Sequence, residues 1–222
     1  MGIQVIGNGG VIIGAGEEAR KPMHTTLIPG TGNWYRYSGF TGTIGAALAA
    51  NSELLQFRFV SGTKSYALVR SVSLDGIGIV AVATAAGPLG FDLIPARAWT
   101  AAGSGGTRIA TSGDNLQMET ALATTQVNDI GIATTGALTA GTKTLDANAQ
   151  GGALLSIGTG AVTTYASGGI DKVYLFNSTN EGDMPLVFAN QEGFVVRTSH
   201  AGPTALTYVA RFTIVWAEVT AF

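Results

Sequence analysis

Cysteine is absent from all 222 residues, so disulfides, a thiol nucleophile and thiolate metal ligands are excluded together. Histidine occurs only at His24 and His200, and no His-Glu-x-x-His pair exists, which leaves a zinc centre without its usual donors. Charge is scarce as well. Lys, Arg, Asp and Glu make up 12% of the chain, against about a quarter in ordinary globular proteins, and the formal net charge is -2. That balance supplies no field to draw in nucleic acid or an anionic membrane, so no free nucleic-acid binding and no membrane partner are expected. The most apolar stretch, residues 77–86, is too short to cross a bilayer and runs into Gly87 and Pro88. The opening residues carry no basic group ahead of their apolar ones and do not read as a secretory signal. No long helical period alternates with the apolar runs, which argues against a βαβ fold.

What the chain does have is glycine, 32 residues, and alternation. Leu206, Tyr208, Ala210, Phe212, Ile214 and Trp216 interleave with Thr207, Val209, Arg211, Thr213 and Val215. Successive side chains of a strand point to opposite faces, so this period of two predicts one long core strand over residues 204–219, tied into a sheet. Leu55, Phe57 and Phe59 repeat the pattern. With a turn over residues 61–64 and the run from Tyr66 to Val72, they predict a hairpin. Asp75 and Gly76 predict the next turn, residues 77–84 another strand, and Gly87 with Pro88 a break before residues 89–94. Residues 99–115 read as a connection rich in Gly and Ser, 116–122 as a short strand or helical turn, and 130–153 as short strands or surface loop. Further strands are expected over 172–177, 184–188 and 193–197. The expected fold is all-β: an antiparallel β-sandwich, jelly-roll-like, with a barrel as the competing closure. Residues 1–33, with paired glycines, Pro22 and Pro29, read as an extended N-terminal arm, and residues 34–222 as a single sandwich domain.

Three segments carry a resemblance. GFDLIPARAWTAAGSGGT (residues 90–107), DIGIATTGALTAGTKTLDA (129–147) and the closing residues 186–219 resemble tailed-bacteriophage virion structural proteins, most of them described only as hypothetical or structural. The resemblance implies a non-enzymatic part of the particle, with head decoration (cement) proteins as the expected kind. It brings no catalytic residues with it.

The residues that could carry chemistry have plainer readings. Gly14, Gly16 and Ala19 follow an apolar run in a loose Gly-x-Gly-x-x-Ala pattern, but Pro22 arrives within about a turn, and Glu17 and Glu18 would repel a pyrophosphate. Gly103 to Gly106 lacks the Lys-Ser or Lys-Thr of a phosphate loop. Ser199 and His200 are sequence neighbours, which makes no triad. Asp75, Asp92, Asp114, Asp129, Asp146, Asp171 and Asp183 sit near turn residues, where Asx turns explain most of them, and no EF-hand spacing appears. Glu119 with Glu218 or Asp92 would serve a glycosidase only if the fold brought them face to face. No catalytic, cofactor-binding or metal-binding residue, and no cofactor, is therefore assigned. Trp34, Tyr35, Arg36, Tyr37 and Phe40 form the densest aromatic cluster, and with Trp99 they are the interface candidates, with core packing as the equal alternative. Arg outnumbers Lys, 8 to 4, and Arg58, Arg70, Arg97, Arg197 and Arg211 lie inside apolar strands, as suits bidentate contacts between fixed surfaces.

The function expected is a phage virion structural protein, a capsid decoration protein that binds neighbouring shell subunits and stabilises the shell. The alternatives are a tail or fibre component, a carbohydrate-binding module of the particle with a groove lined by Trp34 or Trp99, and the major shell protein. Expected partners are its own copies, for example as a trimer, and the major capsid protein. The expected location is the virion, assembled in the host bacterial cytoplasm.

Overall fold

The computed structural model describes residues 4–6, 12–14, 33–46, 48–109, 116–118, 125–159, 172–178 and 183–221. In chain order its strands are β1 (Gln4–Ile6), β2 (Ile12–Gly14), β3 (Asn33–Phe40), β4 (Glu53–Phe59), β5 (Tyr66–Ala81), β6 (Gly87–Ala101) and β7 (Thr107–Arg108). There follow β8 (Val127–Ile132), β9 (Thr142–Leu145), β10 (Gly151–Ile157), β11 (Val173–Asn177), β12 (Leu186–Phe188), β13 (Glu192–Thr198) and β14 (Thr207–Val219).

Two antiparallel sheets pack face to face. The seven-stranded sheet runs β10-β6-β13-β4-β8-β7 with β9 also on β6, and the five-stranded sheet runs β11-β5-β14-β3 with β12 also on β5. The period of two explains the packing. Tyr208, Ala210, Phe212, Ile214 and Trp216 of β14 are all buried, as the alternation predicts, and they meet Phe57 of β4 and Phe91 of β6 from the other sheet. The ring contacts across the interface are edge-on, with Phe57 to Trp216 at 5.2 Å and Phe91 to Phe212 at 6.1 Å, the arrangement that sets a ring's positive edge against another's negative face. Stability comes from this layer, for the chain has no covalent cross-strand link through sulfur.

Several local expectations give way to long-range pairing. β4 and β5 do not form a hairpin: β4 pairs with β13 and β8, while β5 lies in the other sheet against β14, β11 and β12. The turn over residues 61–64 thus carries the chain from one sheet to the other. No turn forms at Asp75 and Gly76 either. β5 runs through them as one 16-residue strand, and the register shift between Leu74↔Phe212 and Gly76↔Arg211 leaves Asp75 as the extra residue of a β-bulge. The break expected before residues 89–94 is present but falls at residues 82–86; Gly87 and Pro88 already belong to β6, with Pro88 opposite Ser156 of β10. β6 also extends to Ala101 and takes in Trp99, which sequence placed in a loop. Of residues 116–122 only 116–118 are described, where Gln117 bridges to Tyr35. Within the expected arm, β1 and β2 pair with each other and Asn33 opens β3; the remainder of that arm lies outside the described residues.

Candidate functional site

The period of two divides the aromatic cluster of β3 between two faces. Tyr35 and Tyr37 point inward and are buried, whereas Arg36 and Phe40 point outward and are exposed and Trp34 is half-buried. Tyr35 stacks on Trp216 at 5.6 Å, and Tyr37 lies across Gly39, where a Cβ would sit 2.0 Å from the tyrosine hydroxyl. Burial pushes the Tyr37 hydroxyl pKa up to about 12, so it stays neutral. Trp99 belongs to a different place altogether. It is buried against Ile94, Ala96 and Val195 of the seven-stranded sheet, and its Nε1 donates to the Ala101 carbonyl at 3.1 Å. Neither Trp99, which is covered, nor Trp34, with the Arg70 guanidinium 5.5 Å from its ring centre, presents an open platform for a sugar.

The outward part of β3 borders a groove of about 300 Å³ on the outer face of the five-stranded sheet. Its floor is made by missing side chains. Gly76 lies opposite Arg211 and Gly78 opposite Val209, both on the solvent side of β5, and a Cβ at either glycine would meet nothing within 4 Å among the described residues. Neither glycine has a positive φ, so backbone conformation does not require them. Phe40, 61% exposed, forms one wall, with the Arg211 guanidinium 5.0 Å from its ring centre. Arg211 Nε donates to Ser38 Oγ at 3.1 Å, which fixes the guanidinium beside the ring.

Asp75 lines the groove next to Gly76. Ser73 Oγ donates to its Oδ1 at 2.7 Å, Thr213 Oγ1 donates to its Oδ2, and Lys172 Nζ stands 3.8 Å away. Partial burial alone would raise the carboxyl pKa, and it is the largest single influence. The hydrogen bonds from Thr213 and Ser73 and the charges of Lys172 and Arg211 together outweigh it, so the carboxyl is held below the usual carboxylate range. The groove thus combines an apolar wall, a fixed cation and a fixed anion over a floor open to close approach, an arrangement suited to adhesion. Within a strand, two glycines spaced i and i+2 leave one face bare, and that spacing at Gly76 and Gly78 was the available signal for this groove.

The other residues singled out in the sequence do not gather into a reaction centre. Ser199 Oγ and His200 Nδ1 are 2.8 Å apart on an exposed turn, and no carboxylate joins them among the described residues. Glu218 is buried and accepts from the Gln126 backbone N–H at 3.0 Å and from Trp216 Nε1 at 3.2 Å, which is a structural role at the end of β14. Arg97 pairs with Glu192 at 3.0 Å and Asp146 at 3.4 Å on the surface. Among the described residues no three His, Asp or Glu side chains converge, and no helix is long and apolar enough to cross a membrane. His24, Asp114, Glu119 and Asp171 lie outside the described residues. Compared with protein-family models, with curated proteins and with solved structures, the chain matches none.

Proposed function

We propose that this chain is a non-enzymatic structural protein of a tailed-phage virion, a capsid decoration protein on a jelly-roll-like sandwich, that works by adhesion. The observation that carries the adhesive part is the groove floored by Gly76 and Gly78 beside exposed Phe40: nothing among the described residues requires either glycine, and a surface packed onto the sheet would. The resemblance of residues 90–107, 129–147 and 186–219 supports the virion part. Scarce charge suits a molecule whose outer faces are covered by neighbours.

In this reading the protein meets its own copies and the major capsid protein after assembly in the host bacterial cytoplasm. Many weak identical contacts repeated over a shell add up to a large resistance to bursting. Sedimentation velocity of the purified protein, alone and mixed with capsids assembled without it, tests this. Small free species that bind at a fixed ratio per capsid support it. Tubes, rings or closed shells formed by the protein alone would make it a tail or shell component instead.

A further inference from the structure

A buried polar cluster lies on the other side of the molecule, under a strap that crosses the seven-stranded sheet. β4 opens with a register shift: Leu55 pairs with Val196 and Glu53 with Arg197, so Leu54 is the extra residue and Glu53 shares a face with Gln56. Residues 133–145 fold over that face, fastened by the Ala133 N–H to the Leu54 carbonyl at 2.9 Å and the Leu138 N–H to the Glu53 carbonyl at 2.8 Å. Beneath them, one carboxylate oxygen, Glu53 Oε2, accepts from Lys143 Nζ at 2.9 Å and from Gln56 Nε2 at 2.5 Å. The other end of the same carboxamide, Gln56 Oε1, accepts from Arg108 Nη1 at 3.0 Å. Asp129 holds that guanidinium at 3.0 Å, and Arg108 Nη2 is buried with no hydrogen-bond partner among the described residues.

The amine and the carboxamide are shielded from solvent: Gln56 is 0% exposed, the Lys143 side chain 1%, and the Trp99 ring centre lies 4.5 Å from Lys143 Nζ, while the Arg108 side chain, 30% exposed, forms the outer edge of the cluster. Two glycines permit the closure: a Cβ at Gly103 would sit 2.7 Å from Gln56 Oε1, and one at Gly131 would sit 2.1 Å from Arg108 Nη1. An amine, a carboxamide, a carboxylate touching both, and a cation on the carbonyl oxygen are the parts of an acyl transfer. We infer that Lys143 and Gln56 join in an intramolecular isopeptide bond, with Glu53 as proton relay and Arg108 as the donor that stabilises the oxyanion.

Burial disfavours the charged form of Lys143 and lowers its pKa, against the opposing pull of Glu53; Arg108 adds to the lowering and Asp129 opposes it. The Lys143 ammonium gives a proton to Glu53, and the freed amine attacks Gln56 Cδ while the carbonyl π pair moves onto Oε1, facing Arg108. Glu53 then protonates Nε2 and takes a second proton from Nζ. The carbonyl re-forms, the Cδ–Nε2 bond breaks, and ammonia departs with the proton that Glu53 still holds. One amide replaces another with no change of oxidation state, so no further reactant is needed. The bond would fasten the strap to β4, and it stands or falls independently of the adhesion reading.

Intact mass spectrometry of the full-length protein under denaturing conditions, followed by fragmentation of its peptides, tests the bond. The expected mass is lower than the sequence mass by one ammonia, with the Gln56 and Lys143 peptides recovered as one branched species. Glu53→Gln and Lys143→Arg are expected at full mass, with folding followed by circular dichroism. Ring closure at Asn8-Gly9 also releases ammonia, so the fragment that carries the loss decides. Wild type at full mass after prolonged incubation of the folded protein, or a loss mapped to Asn8, overturns the inference; a Glu53→Gln variant linked as fully as wild type overturns the relay.

Discussion

Tyr35 and Trp216 stack at 5.6 Å with their planes 20° apart, and Phe57 meets the same indole edge-on at 5.2 Å. One side chain on β14 therefore joins the edge strand β3 to the opposite sheet. Trp216→Ala is expected to cost about 3–5 kcal/mol, because the cavity left at the centre of three strands cannot close. Urea midpoints at a constant slope check this; a loss well under that range would mean the rings bear little of the inter-sheet packing.

Asp75 makes stability depend on pH in one direction. Its folded pKa lies below the ordinary value of about 3.9. The carboxylate's contribution is therefore complete above that value and disappears as pH falls through the folded one. Asp75→Asn should flatten the acid side of the stability profile while leaving its dependence near neutrality unchanged. Urea midpoints collected from about pH 7 down to about pH 2 would run in parallel for the two proteins if the bulge did not hold this group low.

Ala98 precedes Trp99 at φ 47°, in the left-handed region that costs a residue with a Cβ about 1–2 kcal/mol. This local twist within β6 precedes Trp99, whose backbone N–H donates to the Gln191 carbonyl at 2.7 Å. Ala98→Gly is expected to hold or raise the thermal midpoint. Ala98→Val should lower the unfolding free energy by more than about 1 kcal/mol and expose the Trp99 indole, seen as a red shift in its emission.

In the proposed adhesive role, Gly76 and Gly78 separate folding from binding. Gly78→Val places a side chain with strong strand preference in open space, so stability should be unchanged or rise by about 0.4–1 kcal/mol. Binding to capsids should weaken about tenfold or more, since the floor of the groove is filled. A variant that binds as well as wild type would place the contact elsewhere.

The elements legible in sequence were those whose alternation is long and unbroken. β14 is the clearest case, since its five inward residues all reach the core. The same arithmetic over Trp34 to Phe40 separates inward Tyr35 and Tyr37 from outward Arg36 and Phe40. Asp75 and Gly76 misled because their turn preference is local, while the ladder with β14 is long enough to absorb Asp75 as a bulge. The β4–β5 hairpin failed for a related reason: turn residues report a change of direction and not which sheet the next strand enters. Glu53, Gln56, Arg108 and Lys143 were out of reach because their meeting depends on a bulge and a strap that bring together positions as many as 90 residues apart.

The absence of cysteine provides the most direct test of the groove as a contact surface, because Gly78→Cys introduces a unique thiol on its floor. The measurement is the rate of maleimide labelling of that variant, free in solution and mixed with capsids assembled without the protein, with binding verified by sedimentation. Rapid labelling of the free protein and strong protection of the capsid-bound protein are predicted; equal labelling of free and bound protein would contradict the account.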